Sequence, residues 1–158
     1  MTVGIPGRSR TVAIVLPTHN RSHLVGRAIK SVLAQTHTAW ELLVVDDGST
    51  DSTRDVIVGF HDPRIRYVRN ERPSGPSGAR NTGILAARPS EFLAFLDDDD
   101  EWLPRKLELQ LDLFETSPVP LAAVGCGRIE CSGGKPEIHV PQYRGEVFEH
   151  LLARRARG

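Results

Sequence analysis

Residues 97–100 are four consecutive aspartates, set in the stretch FLAFLDDDDEW (92–102). Carboxylates packed this closely repel one another and raise each other's pKa, so such a run either stays in water or meets a cation. Two further polar stretches follow directly on apolar runs: PTHN at 17–20 and DDGS at 46–49. Carboxylate oxygens suit hard divalent cations, and Mg²⁺ and Mn²⁺ are typically held by one or two carboxylates plus substrate phosphates. Such a cation would relieve the repulsion and neutralise charge developing on a diphosphate leaving group. The plainer account is an acidic helix start, which the helix dipole favours. A second acidic stretch of the same kind weakens that account.

The elements that must position these residues alternate. TVAIVLP (11–17) and ELLVVDD (41–47) are β-branched, apolar runs that read as buried strands, and IRYVR (65–69) and EFLAFLD (91–97) read as two more. Between the first two, Ser22 offers an N-cap for a helix with an apolar face at Leu24, Val25, Ala28, Ile29, Val32 and Leu33. GSTDST (48–53) is turn and cap chemistry for a second helix reaching about Phe60, before Pro63. RPSGPSG (72–78) reads as a loop, with a helix starting at ARNTGILAA and ending before Pro89. Pro104 suits the first turn of a helix carrying Leu107, Leu111 and Phe114. The run 119–131 is expected to be a fifth strand, or two broken by glycines, and 145–158 a further helix. This order predicts an α/β fold, a mostly parallel sheet with helices on both faces. In such sheets ligands bind outside the carboxyl ends of the strands. PTHN, DDGS and DDDDE would meet at that edge.

Composition narrows the partners. The 158 residues carry a net charge of +0, with 39% hydrophobic and 25% charged residues, so no global field draws nucleic acid or an anionic membrane. Cys126 and Cys131 lie five apart in an extended segment, which would point them to opposite faces and predicts no disulfide. No stretch approaches the roughly 20 apolar residues of a membrane span, and residues 1–10 read as a flexible arm without an apolar leader core. A cytoplasmic location is the expectation, with membrane association through other parts left open. No GxxxxGK[ST] and no GxGxxG after a strand is present, which disfavours P-loop and dinucleotide readings.

The segment VAIVLPTHNRSHLVGRAIKSVLAQTHTAWELLVVDDGSTDST, followed by GARNTGI and FLDDDDEW, resembles the family 2 glycosyltransferases of GT-A (Rossmann-like) fold. The ordered set covers about residues 12–116 and continues more weakly to the end. The resemblance implies transfer of a sugar, with inversion, from a nucleotide diphosphate sugar (a UDP-sugar favoured) to a glycan, lipid-linked or small-molecule acceptor, with Mn²⁺ or Mg²⁺ as cofactor. It implies that Pro17, Thr18, His19, Asn20 and Arg21 form the loop at the nucleotide, with His19 stacking on the base. Asp47 would hydrogen-bond the base beside Asp46, and Arg80 would lie near the phosphates or sugar. Asp97 and Asp99 fit the family's DxD spacing, and Asp99 and Asp100 fit its DD ending. One of Asp97, Asp98 and Asp99 would touch ribose or sugar, and Asp99 or Asp100 would hold the metal. The register within the four aspartates stays open.

Each of these residues also has a plainer role. His19 and His23 are four apart but straddle a helix start, so they read as surface histidines rather than a metal pair. Asp46 and Asp47 could end a strand and cap the next helix, and Arg80 could pair with a surface carboxylate. Trp102 reads as packing, and Arg144 and the tail ARRAR as solvated.

The chain departs from the family beyond Asp100. An inverting transfer needs a base for the acceptor proton. Glu130, Glu137, Glu146 and Glu149 are isolated in sequence, and none forms an acidic pair of the family's kind. Residues 11–158 therefore read as a donor-binding domain that stops before the acceptor side, with no catalytic base identified. A sugar nucleotidyltransferase is an alternative, disfavoured because PTHNRSH lacks a glycine-rich loop. A non-catalytic nucleotide-binding module is another.

Overall fold

A four-stranded sheet with all strands parallel, in the order β3-β2-β1-β4, carries the fold. The computed structural model describes residues 10–70, 75–131, 135–141 and 145. Every residue of β1 (Val12–Thr18) and β2 (Trp40–Asp46) is buried, as their continuous apolar sequence requires of central parallel strands. β3 (Ile65–Arg69) and β4 (Phe92–Phe95) flank them and are partly exposed.

Alternation along each strand divides the core into two layers. Val12, Ile14 and Leu16 of β1 and Trp40, Leu42 and Val44 of β2 pack on one face. They meet α1 (Val25–Leu33), Ile57 of α2 (Thr53–Val58), and Leu107 and Leu111 of α4 (Lys106–Thr116). On the other face Val15 and Val45 meet Ala79 of α3 (Gly75–Ala86). α3 comes close to the sheet because Ala79 and Gly83 present no bulk there. A methyl group on Gly83 would collide with Val15 and press on Val45. Helices on both faces and the parallel sheet are as expected. Each fully buried Ile, Leu or Val in these layers contributes about 1.5–3 kcal/mol of burial free energy.

Several boundaries differ from the sequence reading. Ser22 does not cap α1: the helix starts at Val25, its N-cap Leu24 makes no side-chain cap hydrogen bond, and the Ser22 N–H donates instead to Asp51 Oδ2 at 3.1 Å. β4 ends at Phe95, so Asp97 lies in a turn and not in the strand. Residues 75–78 are not loop but the first turn of α3, where Pro76 needs no N–H partner. The largest difference is at 119–131. Only Arg128–Glu130 (β5) is strand there, and it pairs antiparallel with Glu137–His139 (β6) and not with the parallel sheet. Every residue of this pair is exposed, so its short runs have no face to bury, unlike the central strands.

The chain divides into two compact units, Met1–Asp112 and Leu113–Gly158. The parallel sheet belongs to the first and the β5–β6 hairpin to the second. Cys126 and Cys131 are both free and exposed. The expected N-terminal arm lies outside the described residues up to position 9, as do Arg144 and the expected C-terminal helix with Glu146 and Glu149. Among the described residues no helix is long and apolar enough to cross a membrane.

Candidate functional site

The chain builds outward from β1 through β2 to β3, then returns to place β4 on the other side of β1. The point where the order reverses lies between β1 and β4, and such switch points are where ligands enter α/β sheets. Pairing of β1 with β4 stops at Val15↔Phe95, whereas pairing with β2 continues to Thr18↔Asp46. Pro17, which has no N–H to donate, thus falls where β1 has already parted from β4. Thr18 and the turn that carries the four aspartates lie at this end of β1.

The aspartates do not share a single partner. The Asp100 N–H donates to the Asp97 carbonyl at 3.1 Å, closing a turn with Asp98 and Asp99 at its tip. The Arg80 guanidinium of α3 donates a charge-assisted hydrogen bond to Asp97 Oδ1. Thr18 Oγ1 donates to Asp98 Oδ2 at 2.7 Å. Arg21 Nη1 stands 3.6 Å from Asp99 Oδ2, and Arg27 Nε 3.4 Å from Glu101. Repulsion along the run is therefore relieved by separation of the side chains among β1, α3 and the loop after β1.

The second acidic pair is built differently. Asp46 is fully buried. It accepts from the Tyr67 hydroxyl and from the Ser49 N–H, each at 2.7 Å, with Arg69 Nη1 at 3.5 Å. Burial pushes its pKa up, but these donors and the Arg69 charge outweigh it and hold the carboxyl below its ordinary value. Burial, followed by the bond to Asp46, raises the Tyr67 hydroxyl. Asp47 is also buried. Its Oδ1 accepts from Asn70 Nδ2 at 2.7 Å and its Oδ2 from the Gly75 N–H at 2.8 Å. Asp47 thus caps α3, the helix that carries Arg80.

The loops after β1 and β2 are knitted together. Asn20 adopts a positive φ of 52°, which asparagine tolerates better than most residues. Its N–H donates to Ser49 Oγ and its Oδ1 accepts from the Thr50 N–H, each at 2.8 Å. His19 Nδ1 donates to the Asp47 carbonyl at 3.0 Å and Nε2 accepts from Asn20 Nδ2 at 3.1 Å, leaving an exposed ring at the sheet edge. The Arg21 N–H donates to Thr53 Oγ1 at 3.2 Å.

All the expected site residues therefore gather at one edge of the sheet, in the first unit. Sequence reasoning passed over the end of β3. Tyr67 and Asn70 supply the donors that hold Asp46 and Asp47, and Thr82 Oγ1 donates to Asn70 Oδ1 at 2.8 Å. The signal was available: β3 is a fourth parallel strand, and its polar RN end must reach the same edge. Glu130 and Glu137, isolated in sequence, are direct cross-strand partners in the exposed hairpin of the second unit, with His139 Nε2 3.4 and 3.9 Å from them.

Among the described residues no group of three or more His, Cys, Asp or Glu side chains is arranged to hold a metal ion. The half-exposed carboxylates of Asp97 and Asp99 are hard oxygen donors at the open edge. That donor set fits a divalent cation that arrives with a diphosphate and takes only one or two ligands from the protein.

Known proteins are similar to this chain in sequence and in fold. WfgD of Escherichia coli, a UDP-Glc:α-D-GlcNAc-diphosphoundecaprenol β-1,3-glucosyltransferase, is 46% identical over 102 residues, covering 65% of this chain and 40% of that protein. The crystal structure of S. aureus TarS 1–349 in complex with UDP-GlcNAc superimposes with a TM-score of 0.62 at 26% identity, covering 66% of this chain and 31% of that one. The mannosyltransferase PcManGT from Pyrobaculum calidifontis, in complex with GDP-Man and Mn²⁺, gives a TM-score of 0.60 at 25% identity, covering 68% and 32%. These neighbours bear out the GT-A fold. The chain spans well under two-thirds of the length of each of these relatives. The model of Glycosyl transferase family 2 matches residues 13–156, and the chain belongs to that family.

Proposed function

We propose that this chain is the donor-binding part of a metal-dependent, inverting glycosyltransferase acting in polysaccharide or glycoconjugate synthesis. The donor is a nucleotide diphosphate sugar, a UDP-sugar favoured. The single observation that carries this reading is the Thr18–Asp98 hydrogen bond at the switch point, which joins the nucleotide loop of β1 to the acidic turn.

In this reading the base packs against the exposed ring of His19, with Asn20 holding that ring in place. Asp46 and Asp47, already hydrogen-bonded, keep the loop after β2 rigid beneath it, and Asp47 offers the base its carboxylate edge. Asp98 would lie nearest the ribose or sugar, and Asp99 would hold Mn²⁺ or Mg²⁺ together with Asp97 in one register of the acidic run or Asp100 in the other. That cation supplies charge neutralisation for the departing diphosphate. The acceptor hydroxyl attacks the anomeric carbon as the bond to the diphosphate oxygen breaks, and its proton goes to a base outside the residues assigned here. The acceptor is a glycan, a lipid-linked sugar or a small molecule. The diphosphoundecaprenol-linked acceptor of WfgD supports work at a membrane surface.

Calorimetric titration of UDP and GDP, with and without Mn²⁺, tests the reading. We expect Mn²⁺-dependent binding that the double substitution Asp99→Ala, Asp100→Ala abolishes. Absence of binding by folded protein would sink it. Nucleotide binding that ignores both metal and the double substitution would favour a plain nucleotide-binding module.

A further inference from the structure

We propose that Arg21 and Arg80 are resident counter-ions of the acidic turn, which exchange their carboxylate partners for the diphosphate when donor and metal bind. This rests on the donor-binding reading and adds a role for two basic residues within it.

The geometry is specific. The two outer carboxylates of the DxD spacing, Asp97 and Asp99, each face a guanidinium, while Asp98 between them takes a neutral hydroxyl. The guanidiniums come from different elements, Arg80 from α3 and Arg21 from the loop after β1. Both pairs are open to solvent: side-chain exposure is 43% and 54% for Arg21 and Asp99, and 32% and 52% for Arg80 and Asp97. Half-exposed pairs of this kind hold with little net free energy. They can therefore be displaced by a divalent cation, which offers a carboxylate twice the charge. A guanidinium so released faces a diphosphate with the bidentate geometry it favours. The carboxylates pass from arginine to metal, and the arginines pass from carboxylate to phosphate.

The exchange predicts shifts of opposite sign in one protein. Removal of a guanidinium frees a carboxylate for metal but costs a phosphate contact. Arg21→Gln and Arg80→Gln are to be compared with the unsubstituted chain in two measurements. The first is binding of Mn²⁺ alone, read from loss of the free-ion electron paramagnetic resonance signal. The second is binding of UDP, and of inorganic pyrophosphate, at saturating Mn²⁺, read by calorimetry. We expect Mn²⁺ alone to bind about two- to fivefold tighter in each variant, the size of a half-exposed ion pair. UDP and pyrophosphate should both bind about tenfold weaker, the size of a lost charge-assisted bond. Arg21→Lys should restore the weaker Mn²⁺ binding and only part of the diphosphate binding.

Weakening of both ligands by the Gln variants would overturn the exchange and leave the arginines as supports of the turn. Unchanged affinities would overturn it as well, with the donor-binding reading intact. If the unsubstituted chain bound neither UDP nor Mn²⁺, the donor-binding reading itself would fall.

Discussion

Thr18 at the end of β1 and Asp98 at the tip of the acidic turn are joined by a 2.7 Å hydrogen bond across the topological switch point. The bond spans 80 positions of sequence and closes the gap left where β1 and β4 stop pairing. Thr18 is only 3% exposed, so its hydroxyl has little water to turn to.

Thr18→Val keeps the shape and removes that donor. Asp98 then loses one partner while remaining partly solvated, so we expect a modest loss of stability, about 1 kcal/mol. The larger effect should fall on the ligand. A turn free to rotate away from β1 should weaken Mn²⁺-dependent UDP binding several-fold. Urea unfolding and calorimetry on the same preparation separate the two. A variant with lower stability but unaltered UDP affinity would show that the bond serves the fold alone.

The Asp46–Tyr67 bond links two groups whose pKa values move apart, and stability should depend on pH at both extremes. Asp46 titrates below its ordinary value of 3.8 in the fold. Below that value the unfolded chain takes up a proton that the native state refuses, so stability present above it is lost as pH falls toward the folded value. Tyr67 titrates above its ordinary value of 10.0. Above 10 the unfolded chain releases a proton that the native state keeps, so stability is lost as pH rises further. Tyr67→Phe should cost about 1–2 kcal/mol at neutral pH. It should shrink the acid loss, because the Tyr67 bond is part of what holds Asp46 below 3.8, and remove this residue's share of the alkaline loss. Urea midpoints from pH 3 to 11 check both limbs.

The sheet edge was legible in the sequence because parallel strands have no choice about where their carboxyl ends meet. Once 11–17, 41–47 and 91–97 read as parallel strands, PTHN, DDGS and DDDDE had to converge. What the individual carboxylates touch was not legible. Asp97 meets Arg80 because α3 is seated closely on β1 and β2, within reach of the turn that follows β4, and Asp46 meets Tyr67 because β3 pairs Tyr67 with Val44. Both depend on packing and register, not on local pattern. The start of α3 was missed for a similar reason. Gly and Pro at 75–76 read locally as breakers, but the donor at Gly75 is satisfied by Asp47, which lies 28 positions earlier. The expected fifth strand shows the converse: a run with strand-like composition forms little strand when no face covers it.

Gln35 is the buried anchor of the segment that follows the acidic turn. Its Nε2 donates to the Leu103 carbonyl at 2.9 Å and to the Ser31 carbonyl at 3.1 Å, and its Oε1 accepts from the Leu107 N–H at 3.1 Å. The last bond satisfies a free donor at the start of α4. Gln35→Leu removes all three while keeping volume. We expect a loss of about 1–3 kcal/mol, since the buried Leu107 N–H is left without a partner while the Leu103 carbonyl keeps the Lys106 N–H. Thermal or urea unfolding measures it. A loss below 1 kcal/mol would mean that water replaces the side chain.

Gly83 sets how closely α3 lies on β1, and through α3 it sets where Arg80 meets Asp97. Gly83→Ala places a methyl group against Val15 and Val45 in a layer with no spare room. Overpacking of this kind costs about 1–3 kcal/mol, more than the helix propensity of alanine returns. Relief requires α3 to move outward, which lengthens the reach to Asp97 from Arg80, three residues before Gly83 on the same helix. The substitution should therefore weaken Mn²⁺-dependent UDP binding as well as stability. Val15→Ala in the same chain makes room for the methyl group, so the pair should recover UDP affinity relative to Gly83→Ala alone, even though Val15→Ala costs stability by itself. Failure of the second substitution to recover any UDP affinity would show that the Gly83 contact does not govern the position of Arg80.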